Sequence, residues 1–138
     1  MKAPFKSKKE NHVIIGLGSN IRPEYHIRRA IDFIGKRFQI LSQSTIIETK
    51  PIGYQDQPNF LNGVVMIQTK MQYRELHRWL LNLENKLDRM RSINKYGPRT
   101  IDLDILVWNN KVMDPNVYQR HFLYQAIEEV YPSILTHS

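Results

Sequence analysis

The sequence predicts an α+β fold, a mostly antiparallel sheet covered by helices, and three observations lead there. Short β-branched runs bounded by Gly, Asn and Pro alternate with amphipathic segments. In the longest of those segments the apolar positions recur at helical spacing. The 138 residues, 41% of them apolar, suffice for one domain with its own core.

His12-Val13-Ile14-Ile15-Gly16-Leu17-Gly18 is an apolar run that stops at Gly, the pattern of a buried strand. Gly18–Pro23 is turn chemistry, and Pro23 suits the first turn of a helix reaching about Arg37, with Ile27, Ala30, Ile31 and Ile34 on one stripe. Residues 39–48 and 63–69 read as a second and a third strand. Between them, residues 49–62 carry Pro51, Gly53 and Pro58, and a loop that long in a compact domain points to function. Leu76, Leu80, Leu83, Leu87 and Met90 follow at spacings of 4, 3, 4 and 3, a helix over 73–91 whose stripe is core. After a polar loop at 92–100, Ile101–Trp108 alternates as a fourth strand, Asn109-Asn110 marks a turn, and 120–130 forms a last helix. The order β-α-β-β-α-β is the ferredoxin-like pattern, with helices packed on one face of the sheet, and it hosts many unrelated activities.

Composition narrows the function classes. Cys is absent, which excludes disulfides, thiolate metal sites and Cys nucleophiles. No apolar run approaches the roughly 20 residues of a membrane helix. The basic N-terminus has no apolar stretch leading to a small-residue cleavage site, so the expectation is a soluble, cytoplasmic protein. The net charge of +7 favours anionic partners. Part of it comes from Lys2, Lys6, Lys8 and Lys9, so residues 1–11 are read as a basic, disordered tail and 12–138 as a single domain. None of the five His residues shows metal-ligand spacing.

The sharpest chemical signal is Asp102-Leu103-Asp104. In a strand the two carboxylates share one face, opposite Ile101, Leu103 and Ile105. Such a pair is either a solvated strand face or a site for a hard cation; Mg²⁺ takes one or two carboxylates together with waters and substrate phosphates. Immediately upstream, Lys95-Tyr96-Gly97-Pro98-Arg99-Thr100 brings cations beside the pair, and Arg89 and Arg91 end the long helix. Guanidinium groups bind phosphate oxygens bidentately, although near a helix C-terminus they also serve the macrodipole. Cations around two carboxylates are what phosphoryl transfer requires.

The segment KYGPRTIDLDIL at 95–106, with GLGSN at 16–20 and ETKPIGYQDQPNFLNGVV at 48–65, resembles the 6-hydroxymethyl-7,8-dihydropterin pyrophosphokinase family, over residues 12–112. The resemblance implies a ferredoxin-like core and Mg²⁺-dependent transfer of the β,γ-pyrophosphoryl group of ATP to a pterin hydroxymethyl oxygen. It implies that Asp102 and Asp104 hold two Mg²⁺ ions on the ATP phosphates. Arg89, Arg91 and Arg99 match catalytic and phosphate-binding arginines, and Tyr96 stands where the family usually has Trp. Thr49, Pro51, Ile52 and Asn62 match pterin-pocket positions, and Phe60 and Phe122 match the two rings that sandwich the pterin. That assignment suits the chemistry, because a flat heteroaromatic wants stacking faces and an amide that both donates and accepts; ordinary core packing is the alternative for the rings. Glu84, Tyr96, Arg99 and Arg120 match the nucleotide side. The expected partners are ATP and a hydroxymethyl dihydropterin, with a monomer or weak dimer as the assembly.

The chain also departs from the family pattern. Residues 111–120 are short and lack a Pro-His pair, Leu81 replaces a polar residue, and Lys50 replaces a proline. A second reading is therefore a diverged paralogue that binds or phosphorylates a related pterin with an altered ATP site. A nucleic-acid module is disfavoured, since the strands are mostly aliphatic and the Asp pair repels phosphates unless a metal intervenes.

Overall fold

The computed structural model describes residues 9–87 and 97–136. The elements are β1 (Asn11–Ser19), α1 (Pro23–Arg37), β2 (Gln39–Gln43), β3 (Ile47–Thr49), β4 (Phe60–Thr69), α2 (Tyr73–Lys86), β5 (Asp102–Trp108), β6 (Lys111–Val112), α3 (Asn116–Gln119) and α4 (His121–Val130). A 3₁₀ turn at Ile134–Thr136 follows. The sheet runs β2-β4-β1-β5-β6, with β3 also on β4, and every pairing is antiparallel. With β2 and β3 taken as one interrupted strand, this is the predicted α+β, ferredoxin-like arrangement, which places β1 at the centre.

Local chemistry explains the helix ends. Pro23 opens α1, Glu24 sits in its first turn, and Lys36 and Arg37 sit in its last, each complementing the helix dipole. Gln72 and Glu75 form a capping box on α2, the Glu75 carboxylate accepting the Gln72 N–H at 2.9 Å. The helix expected over 73–91 is described to its cap at Leu87.

Strand alternation sorts the side chains into two cores. Val13, Ile15 and Leu17 of β1 pack with Ile27, Ala30 and Ile34 of α1 and with Leu76, Leu80 and Leu83 of α2. Ile14, Val64 and Leu106 face the other way, under Ala126, Ile127 and Val130 of α4. The expectation of helices on one face is thus corrected. The second face is apolar at one end, and α4 covers it there. A β-bulge opposite Ile14 and Ile15 turns both Leu106 and Val107 into that second core.

Three boundaries differ from the sequence reading. The strand expected over 39–48 is split, because Ser44 leaves the ladder and pairs with Val64 through both its N–H and its hydroxyl, each at 2.9 Å. Strand β4 starts at Phe60, since β3 pairs with Phe60–Asn62, which shortens the loop between β3 and β4 to residues 50–59. Strand β1 begins at Asn11, paired with Thr69, one residue inside the segment read as a tail. Among the described residues no helix is long and apolar enough to cross a membrane.

Candidate active site

On the face that α4 covers, aliphatic side chains give way toward the far end of the sheet to glycines on β1, carboxylates on β5, and an amide and an aromatic ring on β4. Along β1 the series is Ile14, Gly16, Gly18; along β5 it is Leu106, Asp104, Asp102; along β4 it is Val64, Asn62, Phe60. The register sets Gly18 between Asn62 and Asp102, and Gly16 between Val64 and Asp104. A Cβ on Gly18 would lie 2.9 Å from the Asn62 Oδ1, and one on Gly16 would lie 2.9 Å from a Leu106 methyl. The glycines therefore form the floor of an open cavity, and their missing side chains are what leaves it open.

Most of the predicted site residues meet there. Thr49, Ile52, Phe60 and Asn62 line the cavity from β3, β4 and the intervening loop. Asp102, Asp104 and Arg99 line it from β5 and the approach to it, and Arg120 and Phe122 from the start of α4. Ile101, Leu103 and Ile105 are buried in the core on the opposite side of β5, as alternation predicted. Asn62 donates from Nδ2 to the Thr49 hydroxyl, so its amide is held in one orientation. Arg99 is only 11% exposed; its Nη1 donates to the carbonyls of Gly97 and Pro98 at 3.0 Å each, and its Nε lies 3.8 Å from the Asp102 carboxylate. That arrangement holds a guanidinium beside Asp102, the first carboxylate of the pair.

Two predicted residues sit elsewhere. Pro51 is buried beside the cavity rather than on its wall, its carbonyl accepting the Gln55 Nε2 at 2.9 Å. Glu84 is 5% exposed and accepts the Leu103 N–H at 2.7 Å. Among the described residues β6 pairs only with Val107 and Trp108, and further along the outer edge of β5 Glu84 satisfies a backbone donor. Glu84 lines a second groove, between α2 and β5, that also reaches Asp102, Asp104 and Asp114. Arg89, Arg91 and Tyr96 lie outside the described residues.

Several residues of the site carried no assignment in the sequence. Asp114 and Asn116 line the cavity, the Asp114 carboxylate accepting the Asn116 N–H at 2.9 Å. Short as it is, the segment 111–120 thus adds a hairpin strand, a helical turn and three polar side chains to the site. Asn20, in the turn after β1, binds both the 50–59 loop and Arg99. An Asx residue in a turn following a Gly-rich strand was the available signal for Asn20, and it is indistinguishable locally from ordinary turn chemistry.

The family model for 7,8-dihydro-6-hydroxymethylpterin-pyrophosphokinase matches residues 14–132. The chain is similar to the 2-amino-4-hydroxy-6-hydroxymethyldihydropteridine pyrophosphokinase of Bacillus subtilis (strain 168), 37% identical over 131 residues that cover 87% of this chain and 78% of the relative. It is 41% identical to the Campylobacter jejuni protein of the same name over 105 residues, covering 72% of this chain and 64% of that one. The Aquifex aeolicus protein of that name is 32% identical over 132 residues, covering 89% and 82% respectively. The chain belongs to the 7,8-dihydro-6-hydroxymethylpterin-pyrophosphokinase family, a family of diphosphotransferase enzymes.

Proposed function

We propose that this protein transfers the β,γ-pyrophosphoryl group of ATP to the hydroxymethyl oxygen of 6-hydroxymethyl-7,8-dihydropterin, releasing AMP. The acceptor is the one its relatives' names carry, and the step belongs to folate biosynthesis. One observation carries the reading: a single cavity joins two aromatic rings and an oriented amide to a pair of carboxylates with two arginines.

The pterin end lies over β3 and β4. Phe60 and Phe122 offer stacking faces for the bicyclic ring. Asn62, fixed by Thr49, reads the hydrogen-bonding edge of the ring, and Ile52 closes the wall. The phosphate end lies over β5, on the other side of the glycine floor. Arg99 and Arg120 meet phosphate oxygens there, and Arg89 and Arg91 keep their proposed role in neutralising the moving charge.

Asp102 and Asp104 suit Mg²⁺. They are two hard oxygen donors on one strand face, and Mg²⁺ takes its other ligands from water and phosphate. When bound, two such ions supply charge neutralisation for the triphosphate and for the departing AMP oxygen. The hydroxymethyl oxygen attacks the β-phosphorus in line. The bond from that phosphorus to the α,β-bridging oxygen breaks, AMP leaves with the bridging oxygen, and the hydroxyl proton passes to solvent. The protein's share is positioning: stacked rings, an oriented amide and aligned cations bring the two reactants together.

Segment 111–120 delivers Asp114, Asn116 and Arg120 to the phosphate end, which supports this reading over a pterin-binding paralogue with a weakened ATP site. The test is incubation of the purified protein with ATP, Mg²⁺ and 6-hydroxymethyl-7,8-dihydropterin. AMP and a pterin diphosphate form in equal amounts, and chelation of Mg²⁺ stops both. Pterin binding without AMP release would favour the paralogue.

A further inference from the structure

Asn20 is 4% exposed and touches two site-bearing loops at once. Its Nδ2 donates one hydrogen to the Gln57 Oε1 at 2.7 Å and the other to the Pro58 carbonyl at 3.0 Å. Its Oδ1 accepts the Arg99 N–H at 2.9 Å, and its own N–H donates to the Arg99 carbonyl at 3.1 Å. One buried amide therefore holds the 50–59 loop against the backbone of Arg99. Behind this contact the loop bonds to itself: Gln57 Nε2 donates to the Tyr54 carbonyl at 2.7 Å, and Gln55 Nε2 donates to that of Pro51 at 2.9 Å. The same loop carries Ile52 and leads into Phe60, both on the cavity wall, while Arg99 lies beside Asp102.

We propose that Asn20 is a positioning residue that couples the pterin end of the cavity to the phosphate end, with its bond to Gln57 as the link. The proposal rests on the pyrophosphokinase reading above. A pterin seated on Phe60 fixes the 50–59 loop; through Gln57 and Asn20 this fixes the backbone of Arg99 and the guanidinium it carries. Phosphate held by Arg99 orders the pterin wall by the same route, since such coupling is reciprocal.

The test is calorimetric titration of the full chain with a nonhydrolysable ATP analogue and Mg²⁺, with and without saturating 6-hydroxymethyl-7,8-dihydropterin. In the wild type the pterin tightens analogue binding by about fivefold or more, the lower range of ordinary coupling. In Asn20→Ala and in Gln57→Ala that ratio falls toward one. A merely structural role would weaken both affinities and leave their ratio intact. Gln57 is half-buried on a loop, so its variant carries the test should Asn20→Ala fail to fold. A wild-type ratio of one, or an unchanged ratio in folded Gln57→Ala, overturns the role of Asn20. Absence of AMP formation by the wild type overturns the activity instead, and the two failures are read separately.

Discussion

Gly18 on β1 lies directly across from Asp102 on β5, and on its other side it pairs with Asn62 of β4. The position beside an acidic strand thus carries no side chain, and the floor between the amide and the carboxylates stays flat. Adding one carbon tests this. In Gly18→Ala the new Cβ meets the Asn62 Oδ1 at 2.9 Å, and the amide must leave the orientation that Thr49 gives it. Pterin affinity is expected to fall about tenfold, the equivalent of one good hydrogen bond. Fluorescence titration with the pterin measures this, and circular dichroism shows a folded protein.

Phe122 enters the cavity from the first turn of α4. Phe122→Ala removes one of the two aromatic faces. A lost aromatic contact of about 0.5–1.5 kcal/mol weakens pterin binding by roughly 2- to 12-fold. If the proposed pterin stacking holds, binding of the ATP analogue alone changes by less than about twofold; paired titrations separate the two.

Glu84 serves the fold first. Its carboxylate is buried against the Leu103 N–H, and Glu84→Ala leaves that donor without a partner. The expected loss of stability is about 1–3 kcal/mol, whereas Glu84→Gln keeps an acceptor and costs less. Urea unfolding midpoints at unchanged slope measure the difference. Equal stability of the two variants would remove the edge-capping role.

How much of this was legible in the sequence depended on distance along the chain. Strand β1, helices α1 and α2 and strand β5 announce themselves by local periodicity, and the shared face of Asp102 and Asp104 follows from alternation alone. Phe60 and Asn62 read as loop because they follow Pro51, Gly53 and Pro58 in one stretch; only pairing with β3 makes them strand. The covering of the second face by α4 depends on Ile14, Val64 and Leu106 coming together from three strands. Asn20 and Asp114 could not be assigned locally, since the partners of Asn20 lie 37 and 79 residues away and Asp114 reaches the cavity only through the turn of β6 and α3. Side-chain roles set by remote partners leave no periodic trace.

The most direct measurement is the rate of AMP release from ATP, 6-hydroxymethyl-7,8-dihydropterin and saturating Mg²⁺, compared between the wild type and Asp104→Asn. Asp104 is exposed on the cavity side of β5, so the substitution leaves the core untouched. Turnover is expected to fall at least about a hundredfold, the scale of losing several kcal/mol of charge stabilisation, with the thermal midpoint unchanged. Turnover within about twofold of the wild type would contradict the assignment of Asp102 and Asp104 as the groups that hold the metal on the phosphates.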